Sequence, residues 1–266
     1  MAIRMTVVGL ALLMSGCSML PFPKQHTIVH NPFPQLSRVA VAPFFNLTTE
    51  PSTVVDGRQF ALAYYNELQH IGGYEVVPVG VVEGTMKAHG LSMDRPADAQ
   101  KLAQILEIDV VIVGAVTDFS PYFPPRCAMI VEWYAANPDF KPIPPGFGLP
   151  WGTLEELEIP PKVVLDSELA AARAEMERCQ SAPPLLEDVS PVLRHVASYN
   201  GHDADVTEAL ADYVSLKDEP RFDGWPAYLR RSDDFIRFCC FRHIHQMLTA
   251  RGGAETQVVW HWPRRR

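Results

Sequence analysis

An α/β fold with a mixed sheet is predicted for this 266-residue chain, and three observations carry the expectation. Between Ser37 and Tyr134 short β-branched runs alternate with stretches of helical apolar period, the pattern of strands and helices packed in layers. One run, Asp109 to Phe119, is apolar almost throughout, as a strand buried on both faces must be. Hydrophobic residues make up 47% of the sequence, ample for such a core. The expected organisation is a three-layer-like β-α-β-α-α-β-β domain over 37–136, followed by a proline-rich insertion and C-terminal helices.

Near the start of the chain stand Arg4, a run from Met5 to Met14 that is apolar but for Thr6, and then Ser15-Gly16-Cys17. A positive start, an apolar centre and small residues at the end are the order of a secretory signal. At about ten residues the run is too short to span a bilayer, which takes about 20. Cys17 directly after Ser15-Gly16 resembles the bacterial lipobox, with Met14 where leucine is usual. That resemblance implies that residues 1–17 are a signal peptide and that Cys17 is acylated and becomes the mature N-terminus. A buried amphipathic helix is the weaker reading, because only Thr6 is polar between Met5 and Met14. By the same resemblance, Ser18 after the cysteine favours the outer membrane.

Pro21, Pro23, Pro32 and Pro34 make 18–36 read as a tether. Arg38 to Phe44 is a buried-strand run halted by Pro43, and Asn46, Thr48 and Thr49 make a loop. Thr53 to His70 is an amphipathic helix closed by Gly72-Gly73. Tyr74 to Val79 is a strand that Pro78 places at an edge or an end. A short helix from Val81 stops at Gly90, and another opens at Pro96 and runs to Glu107. The Asp109 to Phe119 strand follows, then a neighbouring, antiparallel strand over Cys127 to Tyr134.

Residues 137–165 are dense in proline and glycine and read as a long surface loop. A helical extension over 166–253 is expected to pack on the α/β domain, with helices at Asp166 to Cys179, Asp205 to Leu216 and Ser232 to Arg251. The last is read as capped by Ser232-Asp233-Asp234 and closed by Gly252-Gly253. Residues 254–266, ending in three arginines, read as a frayed tail.

A net charge of -8 argues against a nucleic-acid partner, which demands a basic face. The segment between Pro43 and the first helix holds no glycine before Gly57, so no phosphate cradle follows the first strand. No Gly-x-Ser-x-Gly elbow is present. Cys239 and His243 lie four apart on one helix, with Cys240 and His245 beside them, a spacing that can present metal ligands. The same stripe carries Phe235 and Phe238, which favours core packing, so no metal and no cofactor are expected. His195 and His202 read as loop residues. Cys127, Cys179, Cys239 and Cys240 allow three fully paired connectivities, and free thiols are equally compatible. Asp118 and Asn46, at the carboxyl ends of strands, are the candidate binding residues, since ligands of open α/β sheets gather there.

Taken together, Arg38-Val-Ala-Val-Ala-Pro-Phe-Phe-Asn-Leu-Thr48, the helix before Gly-Gly, Tyr74-Glu-Val-Val-Pro78, the block from Ala103 to Phe119 and the lipobox resemble a known group. They look like the soluble α/β domain of curli-secretion-channel lipoproteins, outer-membrane activators of penicillin-binding proteins and the TolB N-terminal domain. The resemblance implies a domain that binds protein partners and assembles, homo-oligomers included, and it carries over no catalytic residue. The channel's pore-forming strands have no counterpart after Tyr134. The expectation is a lipid-anchored, non-catalytic interaction or assembly module of the cell envelope facing the periplasm. The alternative is an envelope enzyme or ligand binder working at the strand ends.

Overall fold

The structure is a computed structural model that describes residues 22–51, 54–137, 140, 190–217 and 223–261. The signal-like stretch with Cys17, most of the 137–165 loop, the helix over Asp166 to Cys179 and the linker up to 189 lie outside the described residues. Two bodies are distinguished. The smaller pairs β1 (Phe22–Val29) with β8 (Ala254–His261) as an antiparallel ribbon, Phe22 opposite His261 and Val29 opposite Ala254. The expected tether and the expected frayed tail therefore meet as strands. Proline forbids a helix there but not a two-stranded ribbon, where each strand keeps an edge that needs no N–H.

The larger body runs from His30 to Gly253. Its strands are β2 (Arg38–Val41), β3 (Phe45–Asn46), β4 (Glu75–Val77), β5 (Val110–Ser120), β6 (Arg126–Ala135) and β7 (Leu193–Asn200). Its helices are α1 (Gly57–Leu68), α2 (Val79–His89), α3 (Pro96–Leu106), α4 (Ala204–Lys217), a 3-10 turn over Trp225–Arg230, and α5 (Ser232–Thr249). The sheet order is β4-β2-β5-β6-β7, with β3 also beside β5. β2, β3 and β4 run parallel with their neighbours, while β6 and β7 are antiparallel, so the sheet is mixed as predicted.

Local chemistry sets the element ends. Asp56 caps α1 by accepting from the Arg58 N–H at 2.9 Å. Pro96 sits in the first turn of α3, where its missing N–H costs nothing, and Gly90 ends α2 in the left-handed conformation. Pro78 follows β4, which is an edge strand. α5 differs from the sequence reading. Arg231 is its cap residue and no side chain closes it; Asp233 instead accepts from Gln59 of α1 at 2.7 Å. Both aspartates still lie in the first turn, where the helix dipole favours negative charge.

β5 is the axis of the core, with Val110, Val111, Ile112 and Val116 fully buried. On one face α2 and α3 cover Ala40, Ala42 and Val111 with Val82, Leu102 and Ala103. On the other, Phe44 lies over Gly114, stacks with Phe60 of α1 at 6.2 Å and meets Tyr64 at 5.7 Å. α5 packs on α1 there, burying Phe235, Cys239, Cys240 and Ile244.

Two further corrections concern the segments flanking this domain. Asn31 is buried and holds the proline loop closed: its Nδ2 donates to the carbonyls of Leu36 and Gly73, and its Oδ1 accepts from the Phe33 N–H. Residues 31–36 are thus packed, with Phe33 and Leu36 buried, rather than a free tether. The expected helical extension 166–253 also contributes β7, placing His195 in a strand rather than a loop. Leu193 and Tyr199 point inward while Arg194, Val196 and Ser198 point out, a period of two too short and too polar to stand out in the sequence.

α4, α1 and α5 are joined by one buried carboxylate. Glu67 is 2% exposed, accepts from the Tyr213 hydroxyl at 2.9 Å and Lys217 Nζ at 3.0 Å, and has Arg237 at 3.7 Å. Removing one member of such a group leaves the others desolvated and unpaired. Glu67→Ala is expected to lower stability by about 3 kcal/mol, and Glu67→Gln by less, read as denaturant midpoints of the full chain.

Candidate functional site

The two strand-end residues have different duties. Asn46 in β3 turns the following loop: its Oδ1 accepts from the Thr48 N–H at 3.0 Å and the Thr48 hydroxyl at 2.7 Å, and its Nδ2 donates to the Glu50 carbonyl at 2.9 Å. These bonds commit the side chain to its own loop. Asp118 follows a bulge in the β5–β6 ladder between Val116 and Asp118, and its carboxylate stands 3.9 Å from Arg126 Nε with both side chains about half exposed. A bulge at a strand end re-aims the side chains beyond it. Asp118 and Arg126, with Thr48, Glu50, Ser120 and Tyr122, line a hollow of about 360 Å³; Asn46 supports its wall without lining it.

Large apolar side chains stand exposed at this hollow, Leu47 and Tyr122 lining it and Phe123 next in the chain. Leu47 is 63% exposed, and Tyr122 and Phe123, at the tip of the β5–β6 hairpin, are 80% and 71% exposed. Leu47 also borders a second hollow of about 360 Å³ on the sheet face, with Phe45, Ala115, Ile130, Glu132 and Arg194. There Arg194 pairs with Glu132 at 3.4 Å, and Glu132 accepts from the Tyr134 hydroxyl at 2.7 Å. Burial, then the nearby Glu132 charge, keeps that phenol protonated. Sequence reasoning placed Asp118 near its strand end but missed these exposed apolar side chains, because such residues on loops carry no periodic signal.

The Cys and His stripe of α5 is inside. His243 is buried; its Nδ1 faces the Tyr64 hydroxyl at 3.4 Å and its Nε2 the His195 carbonyl at 3.3 Å. Cys240 Sγ turns to the Phe60 carbonyl at 3.9 Å, and His245 stacks on Phe241 with ring centroids 3.9 Å apart. Cys240, His243 and His245 thus turn to different partners. Among the described residues no group of three His, Cys, Asp or Glu side chains is placed to hold an ion. Cys127, Cys239 and Cys240 are free and buried, and burial pushes the Cys239 and Cys240 thiols up, away from the reactive thiolate. Cys179 lies outside the described residues.

Among the described residues no helix is long and apolar enough to cross a membrane. No protein-family model matches the chain, and no characterised protein matches it in sequence. Solved structures similar to it include one described as a lipoprotein, GNA1162 of Neisseria meningitidis, with 15% identity and a TM-score of 0.35 over 68% of this chain and 95% of that one. Another is the LpoB C-terminal domain of Salmonella enterica, with 15% identity and a TM-score of 0.32 over 41% and 75% of the two chains. A third is a PelC dodecamer from Paraburkholderia phytofirmans, with 16% identity and a TM-score of 0.26 over 42% and 71%.

Burial, and after it the neighbouring His195, pushes the His243 imidazole down to about 3, and burial takes His245 to about 4. An unfolded histidine titrates near 6.5, so between about 6.5 and 3 the unfolded chain binds more protons than the folded one. Stability is therefore retained above about 6.5 and lost progressively as pH falls through that window. His243→Gln is expected to flatten this loss relative to the unsubstituted chain, measured as urea midpoints at pH 7 and pH 4.5.

Proposed function

We propose that this chain is a lipid-anchored protein of the cell envelope, facing the periplasm from the outer membrane, and that it works as a non-catalytic protein-interaction or assembly module. The observation that carries the reading is the rim of Leu47, Tyr122 and Phe123, large apolar side chains left in solvent around the charged pair Asp118 and Arg126. Apolar anchors beside a polar margin are the composition of a protein-contact surface, and aromatic residues are enriched at the centres of such surfaces. The anchor half of the reading rests on the sequence from Arg4 to Cys17. Acylation there adds about 0.8 kcal/mol of membrane affinity per buried methylene.

A second reading, a small-ligand site, is favoured by the hollow at Asp118, whose volume of about 360 Å³ is within the range of ligand pockets. The two readings separate by substitution. If the chain docks a protein, Tyr122→Ser with Phe123→Ser abolishes its cross-linking to an envelope partner in whole cells, and Asp118→Asn reduces it only slightly. Under the ligand reading Asp118→Asn carries the larger effect. For the anchor, the unsubstituted chain is expected to be cleaved before Cys17 and to take up labelled fatty acid, and Cys17→Ala to lose both. An unsubstituted chain that is neither cleaved nor labelled defeats the anchor.

A further inference from the structure

The two edges of the main sheet are built differently. β4 is three residues long, carries exposed Glu75 and is followed by Pro78, the devices by which proteins blunt an edge against pairing. At the other edge β7 is eight residues long, contains no proline and follows β6 without a register shift. Among the described residues it ends the sheet.

The register shows which backbone groups β7 leaves open. Gly201 N–H donates to the Pro125 carbonyl at 2.8 Å, and Ala136 N–H to the Asp109 carbonyl at 2.8 Å. Bonded pairs alternate along an antiparallel ladder, so Leu193, His195, Ala197 and Tyr199 spend their N–H and C=O groups on β6. Arg194, Val196 and Ser198 aim theirs away from the sheet. Their side chains stand exposed on the same sheet face, Val196 at 59%.

We infer that the β7 edge is a homodimer interface, in which a second copy of this chain adds its own β7 antiparallel about a two-fold axis at Val196. In that register Val196 faces Val196 of the second copy and exchanges both backbone bonds with it. Arg194 faces Ser198 at each end and does the same. Every outward group of the three residues is then paired, two β-branched side chains meet at the centre, and no like charges are opposed. A two-fold contact needs a surface complementary to itself, and the alternation Arg194-Val196-Ser198 reads the same way from both copies except for one charge that meets a hydroxyl. Arg194 borders the same sheet-face hollow as Leu47, but none of the three edge residues belongs to the Leu47, Tyr122 and Phe123 rim, and the inference does not depend on the anchored-module reading.

The test is sedimentation of the purified full chain in detergent, with variants chosen by register. The unsubstituted protein is expected at twice the mass of one chain. Val196→Pro is expected to sediment as one chain with an unchanged far-ultraviolet spectrum, because the N–H it removes faces away from β6. Ser198→Arg, which opposes Arg194 of the second copy, is expected to weaken the dimer about fivefold, and Ser198→Glu to strengthen it about as much at low salt. Val196→Cys is expected to form an intermolecular disulfide on mild oxidation, since residues bonded across an antiparallel pair stand about 5.5 Å apart at Cα, within disulfide reach. A single-chain mass for the unsubstituted protein, or a dimer whose mass and affinity ignore substitution at both positions, overturns the inference. A single-chain mass that rises only when another protein's strand is added does the same. Because neither Cys17 nor the rim is altered, failure here leaves the proposed function to stand or fall on its own tests.

Discussion

The contact on which the rest of the larger body depends is that between Phe44 and Gly114. β5 is buried on both faces and touches β2, β3 and β6, so anything that displaces it displaces the sheet. At its middle a glycine leaves room for the Phe44 ring to lie against the strand; a Cβ at Gly114 would collide with that ring. Phe44 then carries α1 through Phe60 and Tyr64, and Tyr64 carries α5 through His243. The Phe44 carbonyl occupies the space that a Cβ on Gly57 would need, so the start of α1 is pinned to the same residue. Close packing makes such a chain of contacts stiff, because no neighbour can move without opening a void.

That stiffness decides where the chemistry of the molecule can lie. The groups that catch the eye in the sequence, Cys239, Cys240 and His243, are inside this packed layer, where Cys240 turns to Phe60 and His243 to Tyr64 and His195. Desolvation holds them neutral, which suits a core and leaves the surface to other residues. What reaches solvent instead are the loop after β3, the tip of the β5–β6 hairpin and the outer edge of β7. Each is an end or an edge of the strands that the Phe44 contact holds in place.

The core strand from Val110, the proline-opened helix at Pro96, the glycine stop at Gly90 and the edge placement of β4 were legible in the sequence, because each follows from steric or burial rules that act within a few residues. The same is true of Asp118 as a strand-end residue. β7 and the β1–β8 ribbon were not legible: a strand of mixed polarity is stable only when another strand supplies its hydrogen bonds, and here the partners are about 65 and about 230 residues away in sequence.

The sequence by itself therefore determined the fold class, the net negative charge, the signal-like start with Cys17 and the order of the main strands and helices from Arg38 to Tyr134, all properties of composition or of neighbours along the chain. Only the tertiary structure decided that the α5 stripe is core, that Asn46 serves its own loop, that exposed apolar side chains stand near Asp118, and that among the described residues one sheet edge is guarded and the other open. Those outcomes depend on which distant segments lie side by side, and a side chain's burial, partner and protonation are set by that neighbourhood rather than by its own identity.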